Sequence, residues 1–124
     1  MIEMNRRQIL KLSAAFSAVG LAVAIAGCQG APVPVPSDEQ AKDIALTVYI
    51  GDNFYEPQSA TISAGQAVKW EWVGKEKHDV VANDRSFVSE LQVEGTYTHI
   101  FDDQGDFSYL CSTHPEMQGI ITVE

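Results

Sequence analysis

Apolar and polar residues alternate with a period of two in several segments of the chain from residue 46 onward. The clearest case is the segment in which Val68, Trp70 and Trp72 are separated by Lys69 and Glu71. The same alternation recurs at residues 46–50, 97–101 and 107–111. Alternation predicts strands with one apolar and one polar face, whereas an amphipathic helix would repeat about every 3.6 residues. The chain is therefore predicted to be all-β.

Turn signals separate these segments and indicate how the strands are arranged. They lie at residues 51–53, 64–65, 83–84, 94–95 and 104–105. Many short strands joined by regular turns are typical of a β-sandwich. We predict such a domain from Asp43 to Glu124, with a final short strand at residues 120–123. Residues 87–92 fit either a brief helix or an irregular connection.

The first 27 residues predict an export signal rather than part of the fold. Residues 6–11 include two arginines and a lysine, and residues 12–26 are mostly small and apolar. This run is shorter than the about 20 residues that span a membrane, so a cleaved signal is favoured over an uncleaved anchor. Residues 25–28 resemble a bacterial lipobox, which predicts a lipid on Cys28. Residues 6–11 resemble a twin-arginine signal, and Sec export is the alternative.

Residues 28–42 are predicted to link the lipid to the domain. Pro32, Pro34 and Pro36 favour an extended, semi-rigid conformation. At about 3.1 Å per residue, such a linker would hold the domain roughly 40 Å from the outer face of the cytoplasmic membrane. We therefore expect an exported, lipid-anchored protein.

The chain is strongly acidic. Its formal charge is −9, and residues 28–124 carry five basic and sixteen acidic residues, a formal charge of −11. Such a surface disfavours nucleic acid, because the phosphate backbone is also negative. It would steer a basic protein partner towards the domain, although solubility alone would explain the same charge.

Three potential metal ligands lie close together near the C-terminus. Cys111, His114 and Met117 are spaced three residues apart, and His78 lies upstream. Two imidazoles and a thiolate in a trigonal plane, with a long axial thioether, form a blue-copper electron-transfer site. We therefore predict one type 1 copper ion bound by these four residues, and redox chemistry rather than hydrolysis.

The cysteine count supports a metal at Cys111. With Cys28 lipidated, Cys111 is the remaining cysteine, and exported proteins rarely keep a lone thiol. A metal bond explains the unpaired thiol, and a buried free cysteine is the alternative. His99 competes with His78 for the role of second imidazole. Its alternation places it mid-strand among aromatic residues, which predicts a packed or rim position instead.

Residue counts exclude two larger classes of copper protein. Multicopper oxidases need more His-rich motifs, and the chain has three histidines. A binuclear site of the oxidase-subunit type needs two cysteines in one loop, where this sequence has Cys111 alone. We recognise no general base, nucleophile elbow or phosphate loop, so we do not predict an enzyme.

Several motifs together resemble plastocyanin-type cupredoxins over residues 43–124. They are WEWVG at 70–74, HDVV at 78–81, GDFSYLC at 105–111 and the loop 111–117. The N-terminal signal and the Trp-Glu-Trp segment are similar to halocyanins, whereas the short spacing from His114 to Met117 is closer to amicyanins. The resemblance implies an eight-stranded Greek-key sandwich with one copper at its end. It also implies that the exposed edge of His114 passes electrons to redox protein partners. We expect the protein to be a monomer.

The chain departs from that family pattern at three positions beside the predicted ligands. Thr113 stands where proline is usual, Asp79 where asparagine is frequent, and Lys77 where proline or glycine is common. Thr113 could donate a hydrogen bond to the Cys111 sulfur, and such bonds tune a blue-copper potential. These departures bear on the potential rather than on metal binding.

The predicted function is that of a membrane-tethered one-electron carrier cycling between Cu(I) and Cu(II). A copper storage or delivery protein with the same ligands is one alternative. A metal-free adhesion or structural module is another, and it requires the ligand spacing to be accidental.

Overall fold

The computed structural model describes residues 30–124, so the predicted signal, the lipobox and Cys28 lie outside the described residues. The range 30–124 contains eight strands and no helix. The strands are β1 (Ile44–Ile50), β2 (Tyr55–Glu56), β3 (Ser59–Ile62), β4 (Ala67–Trp72), β5 (Val81–Ala82), β6 (Gly95–Ile100), β7 (Gly105–Leu110) and β8 (Gln118–Val123). In this part of the chain, no helix could cross a membrane.

The strands form two four-stranded sheets, which confirms the predicted Greek-key β-sandwich. The first sheet has the order β2-β1-β4-β6 and the second the order β3-β8-β7-β5. The pairs β1/β4 and β3/β8 are parallel, and the other pairs are antiparallel. The connection from β4 to β5 passes from the first sheet to the second. That connection carries His78, whereas the loop from β7 to β8 carries the C-terminal ligand motif.

The alternating residues of β4 build the centre of the core, as predicted. Val68, Trp70 and Trp72 are buried, while Lys69 and Glu71 are partly exposed. Trp70 lies among four aromatic rings, with centroid distances of 5.4 Å to Phe87, 5.5 Å to Tyr109, 6.1 Å to Tyr97 and 6.5 Å to Phe101. Rings from both sheets therefore meet around one indole, and this packing fixes the sheets relative to each other.

Residues 87–92 form an irregular connection without a helix. Ser89 N–H donates to the Val80 carbonyl at 2.9 Å, and Gln92 N–H donates to the His78 carbonyl at 3.1 Å. These bonds hold the segment beside the β4–β5 connection and satisfy amides that a helix would have paired internally. The segment therefore supports the backbone at His78.

The second half of the predicted linker lies against the domain. Val35 N–H donates to Val88 O and Asp38 N–H to Thr98 O, both at 2.8 Å, and Tyr97 Oη donates to Val35 O at 3.0 Å. Strand β6 is at the edge of its sheet and exposes backbone groups that need partners. The compact unit begins at Pro32. Residues 35–38 are thus part of its packing rather than a free spacer ahead of Asp43.

Candidate metal centre

The loop between β7 and β8 is a tight turn that presents Cys111, His114 and Met117. Cys111 N–H donates to Met117 O at 3.1 Å, and Met117 N–H donates to His114 O at 2.8 Å. These two bonds close the loop from both ends. The side chains of Cys111 and Met117 are buried, and that of His114 is 27% exposed.

His78 is held in place by its backbone and is fully buried. Its N–H donates to Gln92 O at 3.0 Å, and its carbonyl accepts from Gln92 N–H at 3.1 Å. Its carbonyl also accepts a bond from Trp72 Nε1 at 2.8 Å. Because both backbone groups are satisfied, the chain fixes the direction in which the imidazole leaves the backbone.

The nitrogens of both imidazoles face the same sulfur. The distance from Cys111 Sγ is 3.7 Å to His78 Nδ1 and 3.8 Å to His114 Nδ1, and a donor atom of each residue lies within 4.8 Å of the others. Metal–nitrogen bonds of about 2.0 Å and a metal–sulfur bond of about 2.3 Å, as at zinc sites, would separate nitrogen and sulfur by roughly 3.7 Å in a trigonal plane. The spacing therefore fits one metal ion shared by the three side chains.

The chemistry of these donor atoms narrows the choice of metal. A single thiolate with two imidazoles and a buried thioether in the same loop matches a blue-copper site, because soft sulfur donors select Cu(I) and imidazoles also suit Cu(II). Met117 lies in the same closed loop as Cys111 and His114, and its side chain is buried. The structure thus brings together the sulfur and both imidazoles that the sequence argument required.

Comparison with known proteins decides the family. Residues 42–124 match the family model described as copper binding proteins, plastocyanin/azurin family. The chain belongs to this family. Its cofactor is one type 1 copper ion, in agreement with the donor set.

The relatives that this chain resembles include a halocyanin and an amicyanin. A halocyanin from Natronomonas pharaonis is 32% identical over 71% of this chain and 61% of its own length. An amicyanin from Paracoccus versutus is 29% identical over 76% of this chain and 71% of its own. A solved reduced Cu(I) amicyanin variant is 27% identical, with a TM-score of 0.57 over 76% of this chain and 94% of that one. The chain thus spans less than two thirds of the halocyanin.

Two residues of this cupredoxin site that are not predicted ligands, Thr113 and Asp79, contact Cys111 or its neighbour Ser112. Thr113 Oγ1 lies 3.3 Å from Cys111 Sγ, 3.1 Å from His114 Nδ1 and 3.4 Å from Lys77 O. Sequence analysis anticipated a bond from Thr113 to the sulfur, and the structure shows the hydroxyl in that position. The hydroxyl carries one proton, and a sulfur deprotonated by a bound metal would be its strongest acceptor.

The buried Asp79 clamps the two ligand segments together. Its carboxylate accepts from Ser112 N–H at 2.7 Å and from Ser112 Oγ at 2.6 Å. Its carbonyl accepts from Tyr55 Oη at 2.7 Å. The Asp79 carboxylate is therefore paired with two donors of Ser112, the residue after Cys111, as a buried carboxylate requires.

Sequence reasoning missed the carboxylates on the far side of the two imidazoles. Asp52 Oδ1 lies 3.2 Å from His78 Nε2, and Glu76 Oε2 lies 3.5 Å from His114 Nε2. The backbone N–H groups of Glu76 and Lys75, and then the His78 ring, lower the pKa of Asp52 below its ordinary value of 3.8. The only sequence signal at Asp52 was the turn Gly-Asp-Asn, which indicates a bend but no contact with a histidine 26 residues away.

The competing histidine lies elsewhere. His99 packs against Phe87 and Phe101 at centroid distances of 5.0 and 4.7 Å, and its Nδ1 is 3.6 Å from Asp38 Oδ2. Burial lowers the pKa of His99 below its ordinary 6.5, partly offset by nearby carboxylates. The predicted packed position of His99 is therefore confirmed, and it is not part of the metal cluster.

Two buried tyrosines, Tyr55 and Tyr109, pack against each other close to Cys111. Tyr55 and Tyr109 meet edge to face at 4.7 Å, and burial raises the pKa of Tyr109 to about 12 and that of Tyr55 further. A side chain at Gly119 would overlap the Tyr109 ring, so β8 can approach β7 here only because residue 119 has no Cβ. The raised pKa values keep both buried phenols neutral.

Proposed function

We propose that this protein is a one-electron carrier in which His78, Cys111 and His114 hold copper strongly and Met117 holds it weakly as the axial ligand. The observation that supports this most is the matched 3.7 and 3.8 Å spacing of both imidazole nitrogens from one thiolate sulfur. Bound copper supplies the Cu(I)/Cu(II) couple, and these residues set its donor geometry.

The surroundings of the site suit electron transfer rather than hydrolysis. His78 and Cys111 are fully buried, so their side chains would shield the inner face of a bound ion from water. Hydrogen bonds from Trp72, Gln92 and Ser112 fix both ligand segments, which limits movement between oxidation states. The partly exposed His114 imidazole gives the electron a short route to the surface.

The partner that fits this route is a basic redox protein. Residues 28–124 carry a formal charge of −11, which steers a cationic surface towards the domain. Phe54 is 52% exposed in the β1–β2 turn, and Pro115 directly follows His114. Both offer apolar contact near the exposed edge of His114. We propose docking of a cytochrome or membrane redox complex over His114, with the carrier acting as a monomer.

We further propose a lipid on Cys28 that anchors the carrier at the outer face of the cytoplasmic membrane after export. The basic segment at 6–11 and the lipobox-like residues 25–28 support this proposal. Cells expressing the full chain should place it in the membrane fraction, and Cys28→Ala should release it. Equal membrane retention of both proteins would contradict the anchor.

Colour and reversible reduction test the central proposal. The purified domain with Cu(II) should turn intense blue through thiolate-to-copper charge transfer, bleach with a reductant and recover with an oxidant. Cys111→Ala should lose the colour while keeping the fold, whereas His99→Ala, a control histidine outside the cluster, should keep it. Stoichiometric but colourless copper binding by the wild type would refute a type 1 site.

A copper storage or delivery role is the second candidate, because the 27% exposure of His114 gives a chelator access to one ligand. The two roles predict different exchange rates. A carrier should retain copper against a strong Cu(I) chelator for hours, while a delivery protein should lose it within the mixing time. Fast loss from the wild type would favour delivery.

A further inference from the structure

We propose that Asp52 is a positioning residue for the copper site, which fixes the tautomer and orientation of His78 and tunes the reduction potential through it. This inference rests on the proposed role of His78 as a ligand. It concerns a carboxylate that is distant in sequence from all four proposed ligands.

The Asp52 carboxylate is anchored before it reaches the histidine. Its Oδ1 accepts from Lys75 N–H at 2.8 Å and from Glu76 N–H at 3.0 Å. Both donors are backbone groups of the connection that leads into His78. The oxygen that lies 3.2 Å from His78 Nε2 is therefore held by the loop itself, although the side chain is 38% exposed.

The fold leaves a specific space for this oxygen. A Cβ at Gly74 would overlap Asp52 Oδ1, so a side chain at that position would push the carboxylate away. The N–H groups of Val73 and Gly74 both donate to Ile50 O, at 2.9 and 3.2 Å. The loop is thus fastened to the end of β1, directly before the turn that carries Asp52.

The position of the carboxylate determines which ring nitrogen carries the proton. A neutral imidazole has one donor and one acceptor nitrogen. An ionised carboxylate can only accept a hydrogen bond, so the 3.2 Å contact of Asp52 with Nε2 favours the tautomer that carries its proton there. The Nδ1 lone pair of that tautomer is then available on the side of Cys111 Sγ, 3.7 Å away. Carboxylates that accept the second N–H of a metal-binding histidine fix its orientation and increase its basicity.

The contact at the other imidazole is weaker. Glu76 Oε2 is 3.5 Å from His114 Nε2, and the Glu76 side chain is 62% exposed and has no comparable anchor among its described contacts. Solvent screens such a pair and its side chain is free to turn away. The influence on ligand orientation and reduction potential is therefore assigned to Asp52 and not equally to Asp52 and Glu76.

Loss of the Asp52 charge has a defined electronic consequence. A more basic imidazole and a nearby negative charge both favour Cu(II) over Cu(I). Removing the charge should therefore raise the reduction potential and weaken Cu(II) binding. The blue colour should remain, because it depends on Cys111.

The test compares Asp52→Asn, Asp52→Ala and Asp84→Asn in the full domain. Asparagine keeps an oxygen for the two backbone N–H groups but loses the charge, while alanine loses both. Asp84 is a matched control, since its Oδ1 also accepts a backbone N–H and a hydroxyl, both from Ser86. Cu(II) affinity by chelator competition, reduction potential by voltammetry and the copper hyperfine splitting are measured for each.

We expect Asp52→Ala to bind Cu(II) about 10- to 100-fold more weakly than wild type, with a higher potential and an altered hyperfine splitting. Asp52→Asn should also raise the potential but recover part of the affinity, and Asp84→Asn should match the wild type. If Asp52→Asn and Asp84→Asn shift the potential equally, the inference is overturned, even should the alanine variant not fold. A wild type without blue copper would instead overturn the proposed function.

Discussion

Thr113 offers the Cys111 sulfur a side-chain hydrogen-bond donor. Its hydroxyl lies 3.3 Å from Sγ, and the loop holds the two residues in the same closed turn. The sulfur carries more negative charge when copper is Cu(I), so a donated hydrogen bond stabilises the reduced state. Thr113→Ala removes the hydroxyl, and Thr113→Pro removes the backbone N–H as well. Both changes should lower the reduction potential.

The size of the effect follows from the hydrogen bond. A bond to a charged group contributes about 1.5–3 kcal/mol. The Thr113 proton is shared with Lys77 O at 3.4 Å, and the sulfur keeps partial charge in both oxidation states. A difference of about 1 kcal/mol between the two states is therefore reasonable, and it corresponds to roughly 40 mV for one electron, from about 59 mV per tenfold change.

Voltammetry of three variants provides the assay. Thr113→Ser keeps the hydroxyl and should remain close to the wild type, while Thr113→Ala should fall by roughly 40 mV and Thr113→Pro by at least as much. The charge-transfer band should persist in all three, which shows that copper is still bound. An unchanged or higher potential in the alanine and proline variants would refute the argument.

Two further predictions concern the core and the edge of the sandwich. Trp70→Ala should cost about 3–5 kcal/mol of unfolding free energy in urea denaturation of the apo-protein, because Trp70 is fully buried among four rings; a loss below about 1 kcal/mol would contradict that packing. The pKa of His99 is lowered in the fold, so the unfolded chain binds a proton at His99 more readily than the folded chain does. The folded state is therefore favoured by neutral His99 above about pH 6.5, and this contribution to stability is lost as the pH falls towards the folded pKa. His99→Gln should therefore flatten the decline in melting temperature below pH 6.5, and an unchanged slope would exclude His99 as its source.

Local patterns predicted β1, β4, β6 and β7, because apolar and polar residues alternate in each of these segments. The alternation from Val68 to Trp72 survives in the structure as buried and partly exposed positions of β4. The loop 111–117 was also predictable, since close spacing of Cys111, His114 and Met117 allows one turn to present all three. In both cases the information lies within about ten neighbouring residues, where periodicity and spacing apply.

Contacts between distant segments could not be read from the sequence in the same way. Asp52 reaches His78 because β1 and β4 pair in parallel, and nothing in the turn at 51–53 shows that pairing. The docking of residues 35–38 depends on the free edge of β6, which follows from the sheet order. The choice of His78 over His99 was predictable only because alternation placed His99 in a strand.

The placement of the ligands links the copper chemistry to the packing of the two sheets. His78 lies in the crossover from the first sheet to the second, while Cys111 directly follows β7 of the second sheet. Asp79 joins the two segments through Ser112, and Tyr55 of the first sheet bonds to the backbone of Asp79. The distance between sulfur and imidazole is therefore set by how the sheets face each other, not by the flexibility of one loop. A core substitution that shifts the sheets should change both stability and potential, whereas an exposed substitution far from the crossover should change neither.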